Sequence, residues 1–264
     1  MLLEHRAALV TGGAGRLGRV IAATLRREGA AVAIADCDAG RIASVLPALQ
    51  GGNGPRVVGL LTDVTDPTAV ARLVDEAETA IGRFDVLVNV HGYVPNCPLL
   101  DVEVEEWDRT YDVNVKGTML TCQAVARHWV RDGVQGSIVN LSSGAGFSAR
   151  PGGAHYCGSK AAVNMLTEVL ATELGPHGIR VNAVAPGLVM DEVLTTPSPN
   201  QHEYVNLMLR STPLGRTGAA QDVAEAIAFL ASAHSGWTTG SVLQVTGGSH
   251  CGRTHMPDTR TMKN

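Results

Sequence analysis

The chain has 264 residues, of which 45% are apolar, 17% charged and 4% aromatic, with 30 glycines and a formal charge of −4. This length suits one large α/β domain whose core is built from Ala, Val, Leu and Ile, while the acidic balance and lack of a basic run argue against nucleic acid as a partner. No stretch reaches the length of a membrane span, Met1 to Leu3 run straight into Glu4 and Arg6, and five scattered cysteines without CxxC spacing read as reduced thiols. The expectation is therefore a cytoplasmic protein with no membrane partner and no metal.

Taken in chain order, the first apolar run is Ala7 to Val10, followed by a glycine cluster, an amphipathic stretch from about Leu17 to Glu28, and a second run at Ala31 to Ala35. That order predicts strand, tight turn, helix, strand. Further apolar runs at Val57 to Leu61, Val86 to Val90, Ile138 to Leu141, Val181 to Val184 and Val242 to Val245 are mostly separated by helix-length segments. Asp66-Pro67 reads as a cap followed by proline in the first helical turn. The alternation predicts a single doubly wound, Rossmann-like α/β domain over 1–248: a central parallel sheet of about seven strands with helices on both faces. Pro186 to Pro213 breaks the rhythm with Thr, Pro, Ser and Asn around a helical candidate, Glu203 to Arg210. It reads as a lid, at about 188–213, because a strand still lies beyond it. Residues 249–264 form a polar tail.

Gly12, Gly15, Arg16, Leu17 and Gly18 fall where the first strand ends and the first helix begins. Glycine there permits positive φ and close backbone approach to a pyrophosphate, and the helix N-terminus offers free N–H groups to the anion. Asp36 ends the second strand, where a carboxylate accepts hydrogen bonds from an adenosine ribose and repels a 2′-phosphate. This favours NAD over NADP. Arg16 leaves three options: a 2′-phosphate, the pyrophosphate, or solvent.

Tyr156 and Lys160 stand four apart at the start of a long helical segment and so share a helix face. A phenol ionises near pH 10, and lowering that by about three units takes roughly 4 kcal/mol of preferential stabilisation, which Lys160 helped by a positive nicotinamide could supply in a dry site; a surface pair is the alternative. Ser143 lies at the end of the predicted strand Ile138 to Leu141, where open α/β sheets place their chemistry. Its hydroxyl either holds a substrate oxygen or, like Ser142, merely turns the chain.

Set in order, the Thr11 to Gly18 turn, Asp63-Val64, Asn89 with Gly92, Asn114-Val115-Lys116-Gly117, Ser142-Ser143, Tyr156 to Lys160, Pro186-Gly187 and Val245 to Gly248 resemble the classical short-chain dehydrogenase/reductase family over nearly the whole chain. The resemblance implies a nicotinamide-dependent oxidoreductase interconverting a secondary alcohol and a ketone. It implies Tyr156 as acid/base, Lys160 also gripping the nicotinamide ribose, Ser143 orienting the carbonyl, and Asn114 holding a proton-relaying water. Asp63 and Val64 would line the adenine, Asn89 and Gly92 the cofactor's middle, and Val189 the carboxamide through its backbone. A homotetramer built on the helices near Val115 to Trp129 and Ala161 to Leu174 is also implied, with Ala161, Ala162, Ala171 and Gly175 as small packing residues.

Three positions depart from the family pattern. Arg16 stands at its middle glycine, so that Gly12, Gly15 and Gly18 carry the spacing of the family's extended branch. His91 replaces the usual alanine and reads as packing, and Asp191 replaces a threonine. Two rivals stay open: a non-catalytic NAD-sensing module, and a dehydratase or epimerase that retains its NAD. Tyr93 to Leu100, Gly144 to His155 and the lid, including Leu188, Met190, Leu194 and Met208, are expected to line a mainly apolar substrate pocket. Within it Arg150 and His155 offer contacts to a carboxylate, sugar or thioester, although Arg150 also fits a solvated loop charge.

Overall fold

The computed structural model describes residues 1–251; most of the tail expected over 249–264 lies outside the described residues. Seven strands form one parallel sheet: β1 (Ala7–Thr11), β2 (Ala31–Asp36), β3 (Val57–Leu61), β4 (Val86–Asn89), β5 (Ser137–Leu141), β6 (Arg180–Pro186) and β7 (Val242–Val245). Their order is β3-β2-β1-β4-β5-β6-β7, with Ala8 paired to Val32 on one side and Val86 on the other. The chain therefore winds outward in opposite directions from β1, and between β1 and β4 neighbouring loops leave for opposite faces, opening a crevice at the carboxyl ends of the strands.

Alternation along the strands assigns each face its helices. Ala8, Val10, Val32, Ile34, Val86 and Val88 pack on α1 (Arg16–Arg27), α2 (Ala39–Gln50) and α8 (Ala220–Ala231). Leu9, Ala33, Leu87, Ile138 and Val181 pack on α3 (Pro67–Ile81), α5 (Gly117–Asp132) and α6 (Ala154–Leu174). Every residue of β1 and β4 is buried, as strands covered on both faces must be.

Local chemistry explains the element ends that matter for the cleft. Asp66 caps α3, its carboxylate accepting from Thr68 N at 2.8 Å, with Pro67 in the first turn where no N–H is missed. α4 (Val104–Tyr111) runs into α5 through a π-helical turn at Asp112–Lys116, which inserts a wider turn at the position of Asn114. The segment expected as a lid carries α7 (Glu203–Ser211), one residue longer than the helical candidate in the sequence. Its stem is pinned by a bridge between Val189 and Gly218 and by Leu194 N donating to Thr217 Oγ1 at 2.9 Å.

Candidate active site

A cleft of about 1280 Å³ runs along the carboxyl ends of the strands from Asp36 and Arg41 at one end to Tyr204 and Met208 at the other. At its centre the chain turns from β1 into α1. Gly12 has φ +64°, and a Cβ there would meet the backbone of His91 at 2.6 Å; at Gly18 it would sit 2.1 Å from the carbonyl oxygen of Gly12. Both glycines are required by close backbone approach rather than by flexibility. The helix begins at Gly15 with no side-chain cap and no acidic residue in its first turn, so its N–H groups and positive dipole end are open to an anion.

Asp36 closes the end of the cleft beside the glycine turn. Its buried carboxylate accepts from Ala14 N at 3.2 Å and from Asp38 N at 3.3 Å, and Asp63 and Val64 line the wall beside it. Arg16 spans the cleft instead of turning toward Asp36: its guanidinium meets Asp191 Oδ1 at 3.3 Å and the carbonyl of Val189 at 3.2 Å. Two of the departures noted in the sequence are thus one ion pair, joining the glycine turn to the segment after β6. A cradle of this kind, with glycine turn, open helix end and a carboxylate at the end of the second strand, fits a dinucleotide.

Ser143, Tyr156 and Lys160 all face the other half of the cleft. Ser143 caps the short turn after β5, its hydroxyl accepting from Ala145 N at 3.1 Å. Tyr156 and Lys160 lie one turn apart on α6, with the lysine Nζ 6.0 Å from the phenol ring centroid. Burial pushes the Tyr156 phenol above its ordinary value, while a hydrogen bond to Ser143 and the charge of Arg150 pull it down. Burial also lowers Lys160 to about 8, and its amine donates to the carbonyl of Leu141 at 2.7 Å. At neutral pH that amine is still mostly protonated, and Arg150 is a second cation acting on the phenol from within the chain. The sequence assigned that task to Lys160 helped by a positive nicotinamide; the signal for Arg150, six residues before Tyr156 in a Gly- and Pro-rich loop, depends on how the loop folds.

Asn114 and Asn89 sit behind the cleft wall. Asn114 accepts from Tyr93 N at 2.7 Å through Oδ1, and its Nδ2 donates to the Tyr93 carbonyl at 2.9 Å and to Ser159 Oγ at 3.0 Å. Its side chain is committed to fixing the Tyr93 loop, and Gly92 lies between it and Lys160. Asn89, expected beside the middle of a cofactor, is beneath the floor. It receives Thr11 and Thr121 hydroxyls at 3.1 and 2.9 Å and donates to Asn140 at 3.0 Å.

His91 is neutral, held near pKa 3 first by burial and then by the charge of Lys160. Its ring joins Thr11 Oγ1 at 2.6 Å and Thr118 Oγ1 at 3.3 Å, which is a packing arrangement. His155, expected on the pocket wall, is instead fully buried and pairs neither ring nitrogen with a protein atom among the described residues. Away from the cleft, Glu78, His128 and Asp132 bring ligand-type atoms within 4.8 Å of one another. Arg131 already holds both carboxylate oxygens of Asp132 and meets His128 Nδ1 at 2.8 Å, a charge that opposes a cation there.

Fold and site together define a dinucleotide-binding oxidoreductase, and comparison with known proteins places it more closely. A family model described as enoyl-(acyl carrier protein) reductase matches residues 13–250. An uncharacterised oxidoreductase of Methylorubrum extorquens is 39% identical, the match covering 93% of this chain and 98% of the relative. The (3R)-3-hydroxyacyl-CoA dehydrogenase of Mus musculus is also 39% identical, covering 93% of this chain and 96% of the relative. Among solved structures, a short-chain type dehydrogenase/reductase from Mycobacterium ulcerans superposes with a TM-score of 0.88 at 35% identity, over 96% of this chain and 92% of that one. The chain belongs to the classical short-chain dehydrogenase/reductase family.

Proposed function

We propose that the protein is an NAD-dependent oxidoreductase that interconverts a secondary alcohol and a ketone, with Tyr156 as the general acid/base. The observation that carries this reading is the convergence of Ser143, Tyr156 and Lys160 on one wall of a cleft whose other half holds the glycine turn and Asp36. A nicotinamide dinucleotide, when bound, supplies the hydride acceptor and donor. The pyrophosphate would rest on Gly12, Gly15, Leu17 and Gly18 at the open end of α1, and Asp63, Val64, Gly92 and Val189 would frame the remainder, with Lys160 on the nicotinamide ribose.

In the oxidative direction the phenolate of Tyr156 takes the hydroxyl proton of the substrate, and in the reverse direction the phenol returns it to the carbonyl oxygen. Ser143 donates to that oxygen as its charge develops. Asn114 acts through Tyr93, holding the loop that faces the reacting groups, and its position behind Lys160 suits a relay of protons toward solvent. The choice of NAD rests on Asp36: a buried carboxylate at the ribose repels a 2′-phosphate, while Arg16, the cation that would welcome one, is engaged by Asp191 and Val189. The segment 188–213 serves as the lid over the substrate, and the active form is a cytoplasmic homotetramer joined through α5 and α6.

Assay of an alcohol and ketone panel with NAD and NADP side by side tests cofactor, direction and reaction class together. Tyr156→Phe keeps the ring and removes the proton carrier, so turnover should fall by about three orders of magnitude or more with cofactor affinity retained. Undiminished turnover in that variant would refute the assignment.

A further inference from the structure

Among the described residues six charged side chains line the cleft: Arg16, Asp36, Arg41, Asp63, Arg150 and Lys160. Five have partners. Arg16 pairs with Asp191, Arg41 with Asp38, Asp36 with two backbone N–H groups, Asp63 with Thr65, and Lys160 with the Leu141 carbonyl. Arg150 has none among the described residues, and its Nε is buried without an acceptor. Its guanidinium lies instead over the face of Tyr156, the guanidinium carbon 5.4 Å from the ring centroid. A cation over a ring face gains about 0.5–1 kcal/mol and satisfies none of the five N–H donors. An arginine that is partly desolvated and unpaired beside the reacting phenol is costly unless a ligand supplies the acceptor.

We infer that Arg150 is the anchor for a carboxylate on the substrate, so that the preferred alcohols are short hydroxy acids whose carboxylate lies on a carbon close to the one that is oxidised. The placement sets the spacing. Arg150 packs on the same ring whose oxygen exchanges the proton, so an anion bound in its fork lies within a short chain of the carbinol carbon at Ser143 and Tyr156. The planar fork matches a carboxylate through two parallel hydrogen bonds. Among the described residues no acidic side chain lines this half of the cleft to compete for it, and Val94, Leu207 and Met208 leave an apolar wall for the remaining carbon chain. This inference rests on the dehydrogenase reading above for the chemistry at the alcohol, but the charge preference stands on its own observation.

The test uses the full-length protein with saturating NADH and two probes of one shape, butyrate and butyramide, titrated by the change in nicotinamide fluorescence. Butyrate should bind at least about tenfold more tightly than butyramide. Arg150→Gln should bring that ratio to near one, and Arg150→Lys should retain part of it, since the charge survives and the fork does not. Raising the salt concentration should weaken butyrate and leave butyramide unchanged. Equal affinities in the wild type, no saturable binding of butyrate, or a preference that persists in Arg150→Gln would each overturn the inference. The alcohol panel separates the two failures. Turnover of alcohols without any carboxylate preference sinks only the role of Arg150, whereas butyrate preference without turnover of any alcohol or ketone sinks only the dehydrogenase reading.

Discussion

Burial lowers the pKa of two bases that line the cleft, His91 and Lys160, and each leaves a signature in the pH dependence of stability. The folded-state value of His91 is about 3 against an ordinary 6.5, so between those values the unfolded chain binds more protons. Stability should therefore rise from about pH 3 to 6.5 and be complete above it. Lys160 falls to about 8 from 10.5. The unfolded chain again binds more protons across that window, so stability should rise a second time between about pH 8 and 10.5, while below pH 8 the cost of the buried ammonium is fully present. That cost is on the order of 3 kcal/mol, reduced by the bond to Leu141. Urea midpoints measured from pH 4 to 10.5 check both. Lys160→Met should be more stable than the wild type at pH 7, converge with it toward pH 10.5, and lose activity. His91→Ala should flatten the acid limb. Because the Lys160 charge contributes to holding His91 down, the acid limb of Lys160→Met should also weaken; parallel wild-type and variant profiles would contradict the burial of both groups.

At the level of elements, the cofactor-facing end of the molecule depends on α1 abutting the turn before it. A methyl at Gly18 would sit 2.1 Å from Gly12 O and 2.7 Å from Gly13 Cα, whereas one at Gly15 meets Gly12 O at 3.2 Å. Backbone cannot yield as a side-chain tip does, so Gly18→Ala should cost about 1–3 kcal/mol and lower Tm by on the order of 5 °C, with nicotinamide-cofactor affinity falling as the turn is displaced. Gly15→Ala, the milder contact, should lose much less of both in the same melting and titration experiments. The elements were readable because apolar period and turn chemistry are local. The runs at Val57 to Leu61 and Val242 to Val245 coincide with β3 and β7, and the Asp66-Pro67 cap starts α3 as its residue types require. What stayed hidden depends on partners far along the chain. Nothing local to Arg16 chooses Asp191, 175 residues away, over the other uses of a cation. Asn89 is drawn beneath the floor by Thr121 and Asn140, and Asn114 is set by a π-helical turn that no residue pattern announces.

On the scale of the whole molecule, α6 carries exposed apolar side chains that the proposed tetramer would cover. Ala171, one of the small residues read as packing candidates, is buried in the protomer's own core, but Met165 and Val169, one turn apart, are 59% and 42% exposed, with Ala161 exposed a turn earlier. Closed homo-oligomers reuse one patch on both sides of a twofold, so a helix at the axis meets its own copy. Burying such a methionine is worth about 1.5–3 kcal/mol on each side. A carboxylate at the same position replaces that gain with repulsion between two identical charges. Met165→Glu should therefore lower the solution mass measured by light scattering from that of a tetramer to a smaller species, with the circular dichroism of the protomer unchanged. Met165→Leu, which keeps the apolar contact, should preserve the larger mass. A wild type that scatters as a monomer would overturn the proposed tetramer, and a Met165→Glu variant with undiminished mass would place the assembly elsewhere than α6.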